Sequence, residues 1–414
     1  MTASVFSSNA ALRQPGFLAF LSARLFGMFA QQMQAVVVAW QVYDITRDPL
    51  SLAYVGLAQF LPMLLLLIPA GDLADRISRK RMLAVSWSVA TVCAVLLLWL
   101  ATLGEPGVGG IYAVLVLFGC SRAFTGPAMQ SLLPQIVPRE HLAQALATNS
   151  MIMRTAAIAA PVLGGVLYGL GGGVLTYAAC ALALFSAVVL LWRVPVRYAA
   201  ARELLPGTMW VRALDGLRFI RSRPIVLGTI SLDLFAVLLG GVIALLPVYA
   251  QEVLHTGPEG LGILRASMAA GEVLMGVWLS AHPITHRVGK VMFGAVATFG
   301  LANLVFSLSH WFWLSAAMLT LAGAADMVSV YIRSALVQFS TPDTMRGRVN
   351  AVNMLFISSS NELGEFRAGT MAAALGAVPA AIAGSVCTLG VVAIWMRWFK
   401  PLRDVDKLED ASRL

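Results

Sequence analysis

Charged side chains are scarce in this 414-residue sequence: 29 Lys and Arg and 20 Asp and Glu make up only 12% of the residues. Soluble domains carry about 25% charged residues. A chain this long with so little charge cannot cover a water-exposed surface, and its hydrophobic content of 59% agrees with that conclusion. The composition therefore argues against a soluble protein and predicts a chain whose solvent is largely lipid.

Cysteine and histidine are also rare, with four and five residues. The cysteines lie far apart inside apolar stretches and the histidines have no ligand spacing, so we expect no disulfide framework, metal or cofactor. A phosphate-binding P-loop and a nucleophilic Ser elbow are missing too, which argues against an ATP-driven pump and against an enzyme. No basic face is interleaved with aromatic residues, so the net charge of +9 does not favour nucleic-acid binding.

Long apolar runs, in contrast, are abundant. A membrane-spanning helix needs about 20 mostly apolar residues, and breaks at Gly, Pro and charge clusters divide the chain into twelve such runs. They cover 17–42, 50–70, 82–103, 110–129, 144–170, 174–193, 224–251, 260–281, 291–309, 312–334, 348–374 and 377–399. The sequence therefore predicts an all-α membrane protein with twelve transmembrane helices. The first run is too long and too polar for a cleaved signal peptide.

The basic residues predict the orientation of these helices. The N-terminal tail, every second loop and the C-terminal tail hold 22 of the 29 Lys and Arg, whereas the opposite loops hold only Arg47. Positive charge marks the cytoplasmic side of a membrane protein. We therefore expect both termini in the cytoplasm and the protein in the inner (plasma) membrane.

The two halves of the sequence resemble each other at an offset of 204 residues. The matching pairs are Gly119 and Gly323, Leu132 and Leu336, Pro138 and Pro342, and Asn149 and Asn353. Repeats of this kind are typical of secondary transporters. We predict an N-terminal six-helix bundle over 1–193, a basic cytoplasmic linker over 194–223, and a C-terminal six-helix bundle with a short cytoplasmic tail over 224–414.

The loop after the second run carries the most specific motif. Residues 71–81 read GDLADRISRKR, which resembles the loop signature G-x-L-a-D-r-x-G-r-k of the major facilitator superfamily, with Ser78 in place of a glycine. The resemblance implies two pseudo-twofold-related six-helix bundles around a central cavity with alternating access. It also implies that the loop takes part in the conformational change, through Gly71, Leu73, Asp75, Arg76 and Arg79.

Two further elements resemble the drug–proton antiporter branch of this superfamily. Residues 122–126 read RAFTG, and residues 160–165 read APVLGG, with Pro161, Gly164 and Gly165 at matching positions. Close packing of helices is the alternative explanation for such small residues. If the antiporter interpretation holds, the direction of transport is export.

Three runs in the second half, 231–241, 323–329 and 360–369, resemble the enterobactin-exporter-like group of transmembrane secretion effectors. The resemblance implies an exporter of a siderophore-like or drug-like small molecule. We expect a monomer whose partners are this substrate, protons and the lipid bilayer. A lipid flippase or uptake carrier of the same fold, and a non-transporting membrane protein that binds a ligand, stay open as alternatives.

Ionisable residues inside the predicted helices are the candidate functional groups. There are eleven of them: Arg24, Arg122, Arg154, Asp233, Arg265, Glu272, Asp326, Arg333, Glu362, Glu365 and Arg367. At bilayer depth each costs at least about 2.5 kcal/mol unless it faces a cavity or a partner. We therefore expect paired or cavity-facing charges. Structural ion pairs that lock helices together are the alternative for each of them.

The buried carboxylates favour proton antiport. Asp233 is the first candidate proton carrier, followed by Asp326 and Glu362, with Glu365 and Glu272 as further candidates. Glu362 and Glu365 lie three residues apart and should share a helix face, so that each discourages ionisation of the other.

The buried arginines are candidate charge partners or substrate ligands. Depth along the helices, together with the implied fold, predicts an Arg24–Asp233 pair. The offset of 204 places Arg122 opposite Asp326, where it would tune a carboxylate or bind an anionic substrate group. Arg333 and Arg367 are further candidates. For Arg154, Arg265 and Arg333, which lie near helix ends, snorkelling to the membrane surface is the alternative.

Amide side chains complete the set of candidates for substrate binding. They are Gln31, Gln32, Gln34, Asn149 and Asn353, to which we add the phenol of Tyr249. Hydrogen bonds that hold helices together explain such residues equally well.

Overall fold

A computed structural model describes residues 14–103, 107–196 and 209–412, which are almost entirely helical and contain no strand. The helices are α1 (Phe17–Thr46), α2 (Pro49–Arg76), α3 (Arg79–Thr102), α4 (Val108–Ile136), α5 (Leu142–Trp192), α6 (Met209–Ser222), α7 (Pro224–Gly240), α8 (Pro258–Ala281), α9 (Val288–Leu308), α10 (Phe312–Phe339), α11 (Asp343–Leu375), α12 (Ala377–Trp398) and α13 (Lys400–Arg403). All but α6 and α13 coincide with predicted apolar runs. The prediction of an all-α membrane protein is confirmed.

Two boundaries between consecutive helical segments lie at glycines, where the backbone can change direction. The 51-residue α5 contains two of the predicted runs, and its helical geometry is interrupted at Gly171 and at Gly172, whose φ is +60°. Gly376, with φ +90°, separates α11 from α12 in the same way. A side chain at either positive-φ position would strain the backbone, so these glycines set the boundaries between consecutive helices.

Nine helical stretches in the described part of the chain are long and apolar enough to cross a membrane. One of them, Gln144–Trp192, has 49 residues and includes the break in α5. The long helices α1 and α11 contain several amide and charged side chains, which lowers their hydropathy. Counting α5 as two spans and adding α1 and α11 gives a number consistent with the predicted twelve.

The chain divides into two compact units. The first comprises Met1–Thr46, Leu57–Leu205 and Gly257–Gly262, and the second comprises Arg47–Gly56, Pro206–Thr256 and Ile263–Leu414. Trp87, Phe17 and Phe20 lie at the core of the first unit, and Phe293 and Leu336 at the core of the second. The predicted six-helix bundles, with boundaries at 193 and 224, stay a prediction.

Part of the predicted linker is helical. The sequence led us to expect a basic loop over 194–223, but residues 209–222 form α6. One side of α6 packs on α11: a Cβ on Gly216 would lie 2.7 Å from the Arg348 carbonyl oxygen, and Ile220 is buried against Val349. Arg348 also forms a 3.3 Å ion pair with Asp215. We used the arginines of the predicted linker only to assign membrane orientation, and we missed the small apolar face of α6 beside them.

Helices α8 and α10 cross with their backbones in contact. A Cβ on Gly271 would collide with the carbonyl oxygen of Thr320, and one on Gly323 would collide with that of Met268. Small residues let membrane helices approach this closely. The crossing holds the α10 segment that follows it, including Asp326, at a fixed depth beside α8.

The C-terminal tail closes over the start of α9. The amides of Val288 and Gly289 donate to the carbonyl oxygens of Asp406 and Val405 at 3.1 and 3.0 Å. The Asp406 carboxylate accepts a 2.9 Å hydrogen bond from the Arg287 amide and lies 3.1 Å from His286 Nδ1. These groups satisfy amides that the first turn of a helix leaves without partners.

The tail contact should depend on pH through Asp406. The Arg287 amide, and after it His286, hold the pKa of Asp406 below its usual range. A lowered pKa means that the carboxylate stabilises the folded tail above the unfolded value of about 3.9 and that this stabilisation is lost as the pH falls through the folded pKa. We expect Asp406→Asn at pH 7 to speed hydrogen exchange at the amides of Val288 and Gly289 several-fold. In the wild-type protein, exchange at the same amides should become faster near pH 3, after correction for the pH dependence of intrinsic exchange rates. Asp404→Asn is the control, since the Asp404 carboxylate accepts hydrogen bonds from the adjacent Arg403. An equal effect of both substitutions contradicts the assignment.

Candidate functional site

A cavity of about 160 Å³ inside the second unit, which we call the acidic cavity, is lined by four of the eleven ionisable residues predicted inside helices. It is lined by residues of α7, α8, α9, α10 and α11 and by the segment just after α7. Its polar lining consists of three carboxylates, one guanidinium and two amides: Asp233, Asp326, Glu365, Arg333, Asn303 and Asn361. Three of the predicted carboxylates are thus brought together, with fewer cations than anions around them.

Asp233 and Arg333 form a buried ion pair across α7 and α10, with side chains that are 9% and 5% exposed. The sequence made Arg333 a candidate charge partner, with snorkelling to the membrane surface as the alternative. The structure contradicts that alternative, because the guanidinium is buried against a carboxylate. We had also predicted Arg24 as the partner of Asp233, whereas the partner found in the second unit is Arg333.

Asp326 lies seven residues, about two turns, before Arg333 on α10. Within the described part of the chain no ion pair or hydrogen bond to its carboxyl group is present. This carboxyl can therefore gain or lose a proton without the breaking of an ion pair. That property separates it chemically from Asp233.

Glu362 and Glu365 share a face of α11, as predicted. One carboxylate oxygen of each lies 3.9 Å from the position that a Cβ on Gly56 would occupy. Arg265 on α8 is close enough to Glu365 to interact with its charge, so snorkelling alone does not explain Arg265. Glu365 reaches the cavity, while Glu272 and Glu362 are not among its lining residues.

The segment that follows α7 is irregular where it borders this cavity. We predicted one continuous helix over 224–251, but α7 ends at Gly240 and is followed by a 3₁₀ turn (Ile243–Leu245) and a π-helical stretch (Tyr249–Val253). Gly241, Val242 and Ile243 line the cavity. Broken transmembrane helices commonly line polar sites, because unpaired backbone groups are tolerated there.

A second cavity, of about 140 Å³, lies inside the first unit and is rich in amides. Gln31, Gln32 and Gln34 from α1 meet Gln59 from α2 and Arg122 from α4. The Gln59 side-chain oxygen accepts a 3.4 Å hydrogen bond from Arg122. Sequence reasoning did not single out Gln59, although a lone glutamine in the apolar run AQFLP is a visible signal.

Gln34 is the most informative of these amides. Its side chain is 2% exposed, and within the described part of the chain neither its amide nitrogen nor its oxygen has a hydrogen-bond partner. A buried amide without partners is costly. Donor and acceptor groups of a ligand in the cavity that Gln34 lines would therefore be stabilised by this amide.

Other predicted site residues lie elsewhere. Arg24 and Arg367 donate to the sulfurs of Met153 and Met371 at 3.2 and 3.1 Å. The Tyr249 hydroxyl donates to the Ser307 carbonyl oxygen, which gives it a role in holding helices together. Asn149 and Asn353 are not among the residues that line the two cavities.

The predicted loop motif joins α2 to α3. The backbone of residues 71–76 completes α2, and Arg79 begins α3; the side chains of Asp75 and Arg76 lie outside the described part of the structure. Lys80, which we had counted only as a topology signal, donates to the carbonyl oxygens of Trp192 and Val194 at 2.9 and 2.6 Å. A cation at the end of α5 is favoured by the helix dipole.

The antiporter-like motif on α5 is closely packed within the first unit. A Cβ on Gly164 would lie 3.0 Å from the Met33 Cα of α1, and one on Gly165 would collide with the Pro258 carbonyl oxygen. Gly262 packs on Pro161 in the same way. The packing explanation thus accounts for these positions, and the antiporter interpretation stays a prediction.

Comparison with known proteins agrees with this architecture. A family model described as "Transmembrane secretion effector" matches residues 6–414. The enterobactin exporter EntS of Citrobacter koseri is 27% identical over 388 residues, which cover 92% of this chain and 90% of that protein. EntS of Salmonella typhi is 26% identical, covering 92% and 90%.

Solved structures show the same fold. A bacterial homologue of the human lysosomal transporter Spinster, inward-facing and unoccupied, has a TM-score of 0.70 at 15% identity and covers 96% of each chain. A bacterial homologue of the iron transporter ferroportin, inward-facing, has a TM-score of 0.71 at 17% identity, covering 94% of this chain and 99% of that one.

Proposed function

The chain belongs to the transmembrane secretion effector family of major facilitator transporters, and from that premise we propose that it exports a small molecule by proton antiport. The family and the relatives are transporters rather than enzymes, and the chain is a multi-pass membrane protein. The observation that carries the coupling part of the proposal is the acidic cavity, where a carboxyl without an ion-pair partner, Asp326, lies beside the Asp233–Arg333 pair.

The chemistry of the acidic cavity suits a proton-driven cycle. Protonation of Asp233 would remove its charge and release the Arg333 guanidinium, which changes the electrostatics that hold α7 to α10. Asp326 can take up a proton without that cost. Proton entry from outside and proton release toward the cytoplasm would then shift the equilibrium between the outward-facing and inward-facing states that alternating access requires.

The amide-rich cavity of the first unit fits the substrate side of the proposal. Glutamine amides donate and accept hydrogen bonds, so they suit carbonyl and hydroxyl groups, and Arg122 adds a cation for an anionic group. The relatives carry the name of enterobactin exporters, which makes a siderophore-like molecule the first substrate class to test. Drug-like molecules with similar polar groups are the second.

Gln34→Leu should weaken substrate binding. The leucine removes both hydrogen-bonding groups from the cavity at nearly the same volume, and one lost hydrogen bond corresponds to roughly a threefold to tenfold rise in Kd. We would measure enterobactin binding to purified protein by tryptophan fluorescence.

Gln41→Leu is the matched control for this measurement. Gln41 lies on the same helix but accepts a 2.6 Å hydrogen bond from the Tyr177 hydroxyl and lies away from the cavity. We expect lower thermal stability and an unchanged Kd. An unchanged Kd for Gln34→Leu contradicts the assignment of the amide cavity to substrate.

Transport by reconstituted protein tests the proposed function itself. Liposomes with an acidic interior receive enterobactin outside and a pH-sensitive dye inside. We expect enterobactin to accumulate while the interior becomes more alkaline in proportion. Accumulation of enterobactin without any change in the interior pH would contradict the antiport proposal. Binding without flux indicates a ligand-binding protein, accumulation under the opposite gradient indicates an uptake carrier, and movement of labelled lipid between leaflets indicates a flippase.

A further inference from the structure

A third and much smaller cavity, which we call the small cavity, adjoins the acidic cavity within the second unit. Its volume is about 10 Å³, which is close to the space that one water molecule occupies by this measure. Among its lining residues three are polar: Asp233, Asp326 and Ser329. The remaining lining is apolar, so any occupant would depend on these three side chains.

Ser329 is the unusual member of this set. It is 2% exposed, and its hydroxyl has no hydrogen-bond partner among the residues that the structure describes. Many other hydroxyls in membrane helices of this chain donate to the carbonyl four residues earlier, as Ser267 and Thr320 do at 2.8 and 2.9 Å. The Ser329 hydroxyl does not make this backbone hydrogen bond and is therefore available to a molecule in the small cavity.

The spacing along α10 places the polar groups in one row. Asp326, Ser329 and Arg333 are separated by three and four residues, so they share a helix face. Asp233 reaches the same place from α7 through its pair with Arg333. A buried water needs two to four polar partners, and the carboxyls of Asp233 and Asp326 with the hydroxyl of Ser329 provide three.

We propose that Ser329 is a positioning residue that holds a water molecule between Asp326 and Asp233 and that this water carries the proton between them. The proton on the Asp326 carboxyl passes to the water oxygen as another proton of the water passes to the Asp233 carboxylate. Asp326 becomes a carboxylate, Asp233 becomes neutral, the water is restored, and Arg333 loses its anionic partner. The proposal rests on proton antiport and names the route that connects the two carboxyl groups.

The charges around this row favour a water over a cation. Arg333 already neutralises Asp233 from α10, and Glu365 is the charged group that α11 presents to the adjoining cavity. The parts of α8 and α9 that line the two cavities contribute Met268, Val296, Phe299 and Asn303, none of which is charged. A metal ion in the small cavity would meet the guanidinium of Arg333 nearby.

Ser329→Ala tests the proposal in the liposome assay with enterobactin. We expect the maximal rate to fall at least about tenfold, with an unchanged Kd for enterobactin and a changed pH profile of the rate. Ser329→Thr keeps a hydroxyl and should restore most of the rate. Ser315→Ala is the matched control: Ser315 is equally buried on α10 and its hydroxyl also has no protein partner, but it lines neither cavity.

Each other outcome has a distinct meaning. A wild-type rate and pH profile for Ser329→Ala, in a wild type that moves protons, overturns the relay and leaves antiport standing. Wild type that moves no protons overturns antiport itself. Transport that follows a sodium gradient at constant pH assigns the small cavity to a cation and overturns the relay. If Ser329→Ala does not elute as folded protein, Ser329→Cys takes its place, with the same slowed rate expected, because a thiol is a poor hydrogen-bond partner.

Discussion

Asp326→Asn should reduce enterobactin export driven by a pH gradient at least about 100-fold, because a lost proton carrier removes a step that general acid–base groups accelerate by ~10²–10⁴. Asparagine has nearly the same shape but cannot take up a proton. Three carboxyl groups line the acidic cavity. Asp233 is paired with Arg333 and Glu365 interacts with the charge of Arg265, whereas Asp326 has no ion pair within the described part of the chain and can change its protonation without breaking one. The assay is the reconstituted system with a proton-sensitive dye.

Exchange of labelled for unlabelled enterobactin distinguishes coupling from binding in this variant. Exchange across the membrane needs substrate binding and the conformational change but no net proton transfer. We expect exchange by Asp326→Asn to stay near the wild-type rate while gradient-driven export is lost. Asp404→Asn, the same chemical change in the exposed tail, should affect neither measurement. Loss of exchange together with export would show that Asp326 acts in substrate binding or folding instead.

The fold was largely predictable because a membrane restricts the alternatives. Apolar runs of about 20 residues must be helices there, and the glycines at 171, 172 and 376 mark where one helix stops. The failures have local causes. Helix α6 was missed because its apolar face is narrow and depends on Gly216 and Ile220, four residues apart, which contact α11. The irregular segment after α7 was missed because its residues are as apolar as a regular helix.

Sequence reasoning named several residues that line the two cavities, but it did not identify the partner of Asp233, and the roles of these residues stay a prediction. Asp233, Asp326 and Glu365 share one cavity, and Gln31, Gln34 and Arg122 share another, as burial of polar groups suggested. Depth along a helix gives only one coordinate, so it could not identify the partner of Asp233. The spacing from Asp326 to Arg333 is seven residues, two turns on one face, and that pattern could have placed Arg333 at the site.

Arg333→Gln should be strongly destabilising, because it leaves the Asp233 carboxylate buried without a cation. Removing one partner of a buried ion pair typically costs about 3–5 kcal/mol. The exposed fractions of 5% and 9% place this pair in that class. We expect a large fall in the thermal unfolding temperature of the purified protein and in the yield of monomer.

The double substitution Asp233→Asn and Arg333→Gln decides whether that effect comes from the charges. Two neutral amides can hydrogen-bond to each other, so the double variant should recover most of the lost stability although it cannot couple protons through Asp233. Arg348→Gln is the comparison, since its pair with Asp215 is 25% and 33% exposed and such pairs contribute about 0–1 kcal/mol. If Arg333→Gln were as mild as Arg348→Gln, the buried pair would not hold α7 to α10. Protonation of Asp233 would then have no mechanical consequence, and the link between proton transfer and helix movement would have to lie elsewhere in the acidic cavity.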